Sequence, residues 1–363
     1  MGWWRKKKPQ PNFERGAMLL EDLIGCCDGK SNPIKFFSAD QIRESTDNFS
    51  ESNHVFELSN GYYNWYSGKN ENHLMLLIRK TVDKFYAYID RNFCRDVAIS
   101  SMVSGHKNSM KLIGCCLEFE SPVMVYNGVK KHYKLEIREE PWKRRIKIAE
   151  DIDIALAYLH NVFPRPFVYR IMSLEKILLD EDGVAKLSDF AFCVSIPKGE
   201  TFVKVDKVEG KRCYMDYEYV RNGVVSEETD VFAIGMLMQT LLTGKKVLSE
   251  GDGDGDGNGD TVGDGDDDSM YVIPNWQSKF MKERSKMDEI ADPMMGEISE
   301  EKLYQMKALQ ALSQRCIRLR GKVPTMVEVA KELKKIQRSR LFFSFSLGDS
   351  GLKMQSEFAE YIS

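Results

Sequence analysis

The pattern of apolar residues changes character once along this chain, and that change restricts the fold more than any other feature. Up to residue 127 the apolar residues come mostly in short runs of strand length. After Pro141 they follow helical spacing, with Ile146, Ala149, Ile152, Leu156 and Leu159 on one stripe at close to 3.6 residues per turn. A chain that is strand-rich first and helix-rich second reads as α+β in two lobes, with the boundary between residues 127 and 141. With 363 residues, 42% of them apolar, it can bury a substantial core.

Local signals refine this reading. The first 35 residues read as irregular. Ser38 is a good N-cap for a helix in which Ile42, Thr46 and Phe49 recur. Residues 55–90 read as strands with turns at Asn60-Gly61 and Gly68-Lys69. A short helix over 93–103 places Phe93, Val97 and Ser101 on one face, and Met110–Asn127 gives two strands around Ser121-Pro122. Further on, Phe167–Tyr169, Ile177–Leu179 and Val184–Leu187 have the length of strands. Glu227–Thr243 is an apolar helix closed by Gly244.

Several function classes drop out. The longest apolar run, Val231–Leu242, is broken by Gly235, Gln239 and Thr240, and a membrane span needs about 20 apolar residues. No apolar stretch follows the basic start, so no signal peptide is expected. Cys26/Cys27 and Cys115/Cys116 are adjacent pairs and no CxxC occurs, which suggests reduced, buried thiols in an intracellular protein. Residues 251–268 hold eight Asp and no basic residue. Removing those eight charges turns the net −3 into a mild +5, so no nucleic-acid partner is expected.

Five segments then follow in a telling order. They are FVYRIMSLEKILLD (167–180), KLSDFA (186–191), GKRCYMDYEY (210–219), TDVFAIGMLMQTLLTGKK (229–246) and VPTMVEVAKELKKI (323–336). In this order they resemble a protein kinase over residues 45–338: catalytic loop, D-F-G segment, end of the activation segment, and two large-lobe helices. The resemblance implies a bilobal kinase-like fold. A small β-rich lobe takes residues 45–127 and a large helical lobe takes 128–338. An arm and lead-in helix over 1–44 come first, an acidic disordered insert falls at 250–269, and a tail runs over 339–363.

The same resemblance sets a chemical test, because phosphoryl transfer depends on a short list of positioned charges. Ile171 stands where the catalytic base should be an Asp, and an alkyl chain accepts no proton. Ser173 stands where plant serine/threonine-type kinases place a phosphate-clamping Lys. Lys176 replaces the Asn that holds the second metal. The glycine-rich loop aligns with LSNGYYNWYSG (58–68), where the three glycine positions fall on Leu58, Asn60 and Tyr63. Gly61 is out of phase, so side chains take the space that phosphates need. The strand lysine is Arg79 and its helix partner Glu is Asp96, a combination able to form a structural ion pair. Asp189 alone remains as a metal ligand. With Lys176 at the paired position, the expectation is that Lys176 neutralises Asp189 in place of Mg²⁺. No cofactor and no bound metal are expected. Tyr169 and Phe190 read as core aromatics, and Arg170 as paired with an acid.

FFSADQIRESTDNFS, KLIGCCLEFE and ALAYLHNVFPRPFV look like plant receptor-like cytoplasmic kinases. The arm, CCDGKSNPIKFFS and the lost catalytic residues are similar to the plant ZED-related pseudokinases, the ZRK group. That resemblance implies an adaptor in innate immunity. Its partners would be a coiled-coil NLR immune receptor together with receptor-like cytoplasmic kinases or pathogen effectors. The alternative is a weak, atypical serine/threonine kinase of the same family. A cytoplasmic location is implied. The start MGWWRKKKP, with Arg5, Lys6, Lys7 and Lys8, reads either as a basic tail or as a weak contact with the plasma-membrane surface. It does not meet the myristoylation pattern, because Lys6 takes the Ser/Thr place. Asp254, Asp256 and Asn258-Gly259 open like an EF-hand loop, but Gly265 stands at the twelfth position, so an acidic linker is the expectation.

Overall fold

A computed structural model describes residues 11–27, 34–56, 58–59, 62–82, 89–245, 286–318 and 322–346. The Asn60-Gly61 turn, the basic start and the acidic insert with its EF-hand-like segment lie outside the described residues.

The chain begins with a helix where irregular structure was expected. Helix α1 spans Pro11–Cys27 and packs along a later helix of the small sheet region. Its inner face carries Leu19, 1% exposed, and Arg15, 6% exposed. Arg15 donates hydrogen bonds to the carbonyls of Leu117, Phe119 and Glu120. Gly16 and Gly25 lower its intrinsic helix propensity, so tertiary packing holds what local sequence does not announce.

Strand β1 (Lys35–Phe36) runs parallel to residues 114–115. Helix α2 (Ala39–Ser45) starts at the expected cap: Ser38 and Gln41 form a reciprocal capping box. It ends earlier than its spacing suggests. Asp47, Asn48 and Phe49 all take left-handed backbone, with φ of 50°, 54° and 57°, and Phe49 turns to pack edge-on against Tyr66 and Phe119.

Strands β2 (Tyr63–Lys69) and β3 (Met75–Thr81) form an antiparallel hairpin. Its turn is at Asn70, whose Oδ1 accepts from the backbone of Asn72 and Leu74 at 3.0 and 2.9 Å. Gly68 and Lys69, expected in a turn, lie inside β2. The glycine there serves close approach, since a Cβ would stand 2.7 Å from the Ser45 carbonyl oxygen. Helix α3 (Ile89–Val103) buries Phe93, Val97 and Ser101 as expected. Strands β4 (Leu112–Cys116) and β5 (Val123–Asn127) complete a five-stranded sheet in the order β1-β4-β5-β3-β2.

Strand β6 (His132–Lys134) precedes helix α4 (Trp142–Asn161), the predicted helical stripe. Then come β7 (Phe167–Val168), β8 (Ile177–Asp180), β9 (Ala185–Leu187), β10 (Val194–Ser195) and β11 (Phe202–Lys204). Helix α5 (Tyr217–Asn222) and strand β12 (Val224–Ser226) follow. Helix α6 (Glu227–Thr243) is closed by Gly244 at a φ of 64°, as its sequence predicts. The remaining helices are α7 (Met287–Ile290), α8 (Glu300–Cys316) and α9 (Met326–Ser346). The small sheets are β6-β8-β9, β7-β10 and β11-β12. Among the described residues, no helix is long and apolar enough to cross a membrane.

The chain divides into two compact units, and not by one cut between 127 and 141. The first comprises residues up to Leu135 with Ile154–Asp230, and the second comprises Glu136–Asp153 with Val231–Ser363. Hydrogen bonding explains why residues 154–230 join the first unit. Strand β6 pairs with β8, and Asn108 donates to the Ala185 carbonyl while its own carbonyl accepts from Leu187.

Within the second unit, Arg145 is 1% exposed and donates to the carbonyls of Glu140 and Leu241 and to Asp292. Gly235 lets α6 and α8 close: a Cβ would stand 2.8 Å from Cys316 and Ile317. Cys94, Cys115, Cys116, Cys193, Cys213 and Cys316 are all buried, and burial, with Cys116 and Cys94 nearby, pushes the Cys115 thiol up to about 12.

Asp153 is fully buried in this unit, and neither carboxylate oxygen has a hydrogen-bond partner. Burial, and then the charge of Glu150, raises its pKa well above the ordinary carboxylate value. A proton held more tightly in the folded state makes stability fall as pH rises above the unfolded value. Replacing Asp153→Asn removes that penalty. The variant should gain on wild type by up to ~1.4 kcal/mol per pH unit above about pH 4, until the folded group itself ionises. Urea denaturation across pH 5 to 8 checks this, and a pH-independent difference would refute it.

Candidate functional site

The site forms in the first compact unit, where β3, α3 and the two loops after α4 converge. Arg79 on β3 lies opposite Trp65 on β2 and Met124 on β5. Its guanidinium is 4% exposed and pairs with Asp96 on α3, which is 1% exposed. The other Asp96 oxygen accepts from the Ser100 hydroxyl at 3.0 Å and from the Phe190 backbone N–H at 2.9 Å. One carboxylate thus ties the sheet, a helix and the D-F segment together.

Asp189 sits beside Phe190 in left-handed backbone, φ 63°, and is 5% exposed. The Lys176 ammonium pairs with its Oδ2. Its Oδ1 accepts from the Tyr63 hydroxyl at 3.2 Å. The Tyr63 ring also covers the Arg79 guanidinium, 4.2 Å from the ring centroid. Tyr63 therefore joins the two ion pairs, and the pocket is filled from within. Burial works against the Asp189 charge, but Lys176 and Arg79 outweigh it and hold the carboxyl below its usual range. Burial and the Asp189 charge push the Tyr63 phenol well up, so it remains a donor.

The expected pairs Arg79–Asp96 and Lys176–Asp189 are both formed. Ile171 and Ser173 are buried, at 3% and 4% exposure. The Ile171 side chain packs toward Gly210, where a Cβ would stand 3.2 Å from it. Ser173 hydrogen-bonds toward Glu175. Tyr169 and Phe190 meet edge to face at 5.8 Å, and the Tyr169 hydroxyl donates to the Ser188 carbonyl, which makes both core aromatics.

Arg170 differs from expectation. Its guanidinium lies 5.9 Å from the ring centre of Phe192 and 5.6 Å from that of Tyr219, and its Nε has no hydrogen-bond partner. Aromatic faces take the place of the acid. The loop is instead held by Asp230, which accepts from the backbones of Tyr169 and Arg170 at 2.7 and 2.8 Å and from His160 at 2.9 Å. Sequence reasoning missed that clamp, although Asp230 stands in the segment TDVFAIG that marked the helix.

ATP and Mg²⁺, the groups this architecture implies, do not fit the residues present. A cation occupies the second metal-ligand position and both Asp189 oxygens are engaged. An aromatic side chain fills the loop position where glycine would let backbone approach phosphates. Among the described residues, no group of three or more His, Cys, Asp or Glu is placed to hold a metal. A cavity of about 550 Å³ opens in the second unit beside Trp142, Met294 and Lys302, and no site residue lines it.

Comparison with known proteins agrees with the architecture. The protein kinase domain model matches residues 58–319. This chain belongs to that family, in its ZRK branch. It is 64% identical over 342 residues to the inactive serine/threonine-protein kinase ZRK12 of Arabidopsis thaliana, covering 93% of this chain and 82% of that protein. It is 50% identical over 375 residues to the non-functional pseudokinase ZRK15 of Arabidopsis thaliana, covering 97% of this chain and all of that protein. In fold it is similar to the solved apo GRMZM2G135359 pseudokinase, with a TM-score of 0.59, 21% identity, and coverage of 85% of this chain and 95% of that one. The chain is a pseudokinase with an α+β kinase fold, and Ile171, Ser173 and Lys176 mark its lost machinery.

If Asp189 is a structural anion, Asp189→Asn should destabilise the chain by about 1–3 kcal/mol, because Lys176 and the Tyr63 hydroxyl lose a charged acceptor. Tyr63→Phe keeps the ring over Arg79 and removes only the hydroxyl, so its cost should be smaller, about 1 kcal/mol. Urea denaturation of both variants gives the comparison, and an unchanged midpoint for Asp189→Asn would sink the structural role.

Proposed function

We propose that this pseudokinase is a cytoplasmic adaptor linking a coiled-coil NLR immune receptor to the sensing of pathogen effectors. It would meet the effectors directly or through receptor-like cytoplasmic kinases that they have modified. The observation that carries this reading is the closed Tyr63–Asp189–Lys176 and Arg79–Asp96 network. It uses the charges at these kinase-site positions to hold the unit together, which leaves surface recognition as the use of the fold. Similarity to the ZRK group supplies the class of partner.

The activation segment, residues 192–217, suits a sensing role. It carries Ser195 and Thr201 together with the exposed lysines Lys204, Lys207 and Lys211. Phosphate or acyl groups added there would change charge at a segment that the short β7-β10 and β11-β12 pairings help to hold in place. The competing enzyme reading would need a base in place of Ile171 and a nucleotide in place of Tyr63.

The test is to incubate the pure chain and the Ile171→Asp/Ser173→Lys variant with labelled ATP, Mg²⁺ or Mn²⁺, and a generic protein substrate. Neither should transfer phosphate, because Tyr63 and Lys176 remain, and ATP with Mg²⁺ should leave the melting temperature unchanged. Transfer by the unmodified chain would favour the kinase reading. Affinity purification from plant tissue should recover a coiled-coil NLR, and repeated recovery without one would overturn the adaptor assignment.

A further inference from the structure

Helix α1 has two apolar faces, and the first unit uses one of them. Leu19 is buried in the core cluster, and Met18 and Leu23 pack against it. Leu20 and Ile24, one turn apart on the other side, are 58% and 57% exposed. With exposed Ala17 they form a stripe at i, i+3 and i+7 that no described residue of the unit covers.

The sequence leading into this helix indicates what meets the stripe. Trp3, Trp4, Arg5, Lys6, Lys7 and Lys8 lie two residues before Pro11, and no acid occurs before Glu14. Tryptophan favours the boundary between headgroups and hydrocarbon, and clustered Lys and Arg are drawn to anionic headgroups. Aromatic and basic residues followed by a helix with a free apolar stripe match an element that lies in a lipid interface. Glu14 and Glu21 are exposed on the same helix, and Asp22 is half-buried with Arg91 and Arg95 nearby. These acids weaken the attraction and make the contact reversible.

We propose that α1 is a membrane-contact helix: Leu20 and Ile24 insert shallowly into an anionic lipid surface while Arg5 to Lys8 hold the chain to its headgroups. The inner face stays docked through Arg15, so binding presents the folded unit to the membrane rather than releasing the helix.

Vesicle flotation of the full chain tests this, comparing phosphatidylcholine alone with phosphatidylcholine containing about 30% phosphatidylserine at low salt. The wild type should float with the anionic vesicles only, and less so as salt rises. Leu20→Gln/Ile24→Gln should reduce the bound fraction about fivefold or more at an unchanged melting temperature. Arg5, Lys6, Lys7 and Lys8 changed together to Gln should abolish binding, and Leu20→Trp should strengthen it. Absence of binding to anionic vesicles would overturn the proposal. So would binding that survives the Leu20/Ile24 change, which leaves only a basic tail. Self-association in solution that depends on Leu20 and Ile24, without vesicle binding, would assign the stripe to a second copy instead.

Discussion

The Asp96 carboxylate is the constraint on which the first unit depends. It lies where water does not reach, and its charge is tolerable only while Arg79, Ser100 and the Phe190 amide all point at it. Those partners come from β3, α3 and the segment after β9. Satisfying one buried anion therefore fixes three elements relative to one another. Tyr63 and Asp189 extend the arrangement to Lys176, so two anions and two cations balance inside one cluster. With each anion held by a cation, this cluster offers no free carboxylate to a metal, and Ile171 offers no base.

Much of this was legible in the residues. Hydrophobic spacing placed α3, α4 and α6, and capping chemistry placed the start of α2. The substitutions at 171, 173 and 176 announced the missing chemistry, and matching charge types at 79 with 96 and at 176 with 189 announced the pairs. What escaped has physical causes. Helix α1 draws its stability from docking, and two glycines blur its periodicity. The end of α2 is set by three left-handed residues whose backbone no spacing rule anticipates. Gly68 looks like a turn residue but serves a close contact with Ser45. Arg170 was assigned an acid because charges suggest charges, whereas flat aromatic faces satisfy a guanidinium too. Asp230 was hidden by its helix: three N–H donors aimed at one carboxylate are a tertiary arrangement with no local signature.

The retained and the discarded parts of the kinase plan separate cleanly. Groups that organise the backbone are in place, among them Asp230 under the loop and Asp216 capping α5. Groups that act on a nucleotide have been replaced by residues that pack or pair, and the one that remains, Asp189, is held by Lys176. Ile171 adds buried apolar surface where an acid would have required solvation. The fold has therefore gained internal satisfaction at the positions where a working enzyme keeps unsatisfied charge for its substrate.

The docking of α1 has one more consequence. Arg15 grips three successive parts of the β4–β5 connection, and the Cys94 thiol on α3 donates to the Arg15 carbonyl at 3.5 Å. Cys94 is two residues from Asp96. In an active kinase the equivalent helix swings to switch the enzyme on and off. Here it is bolted at its back, so the unit has traded a swinging regulatory lever for a stiff strut. Any pull on the amino end would be felt at once by that helix and by the β4–β5 connection.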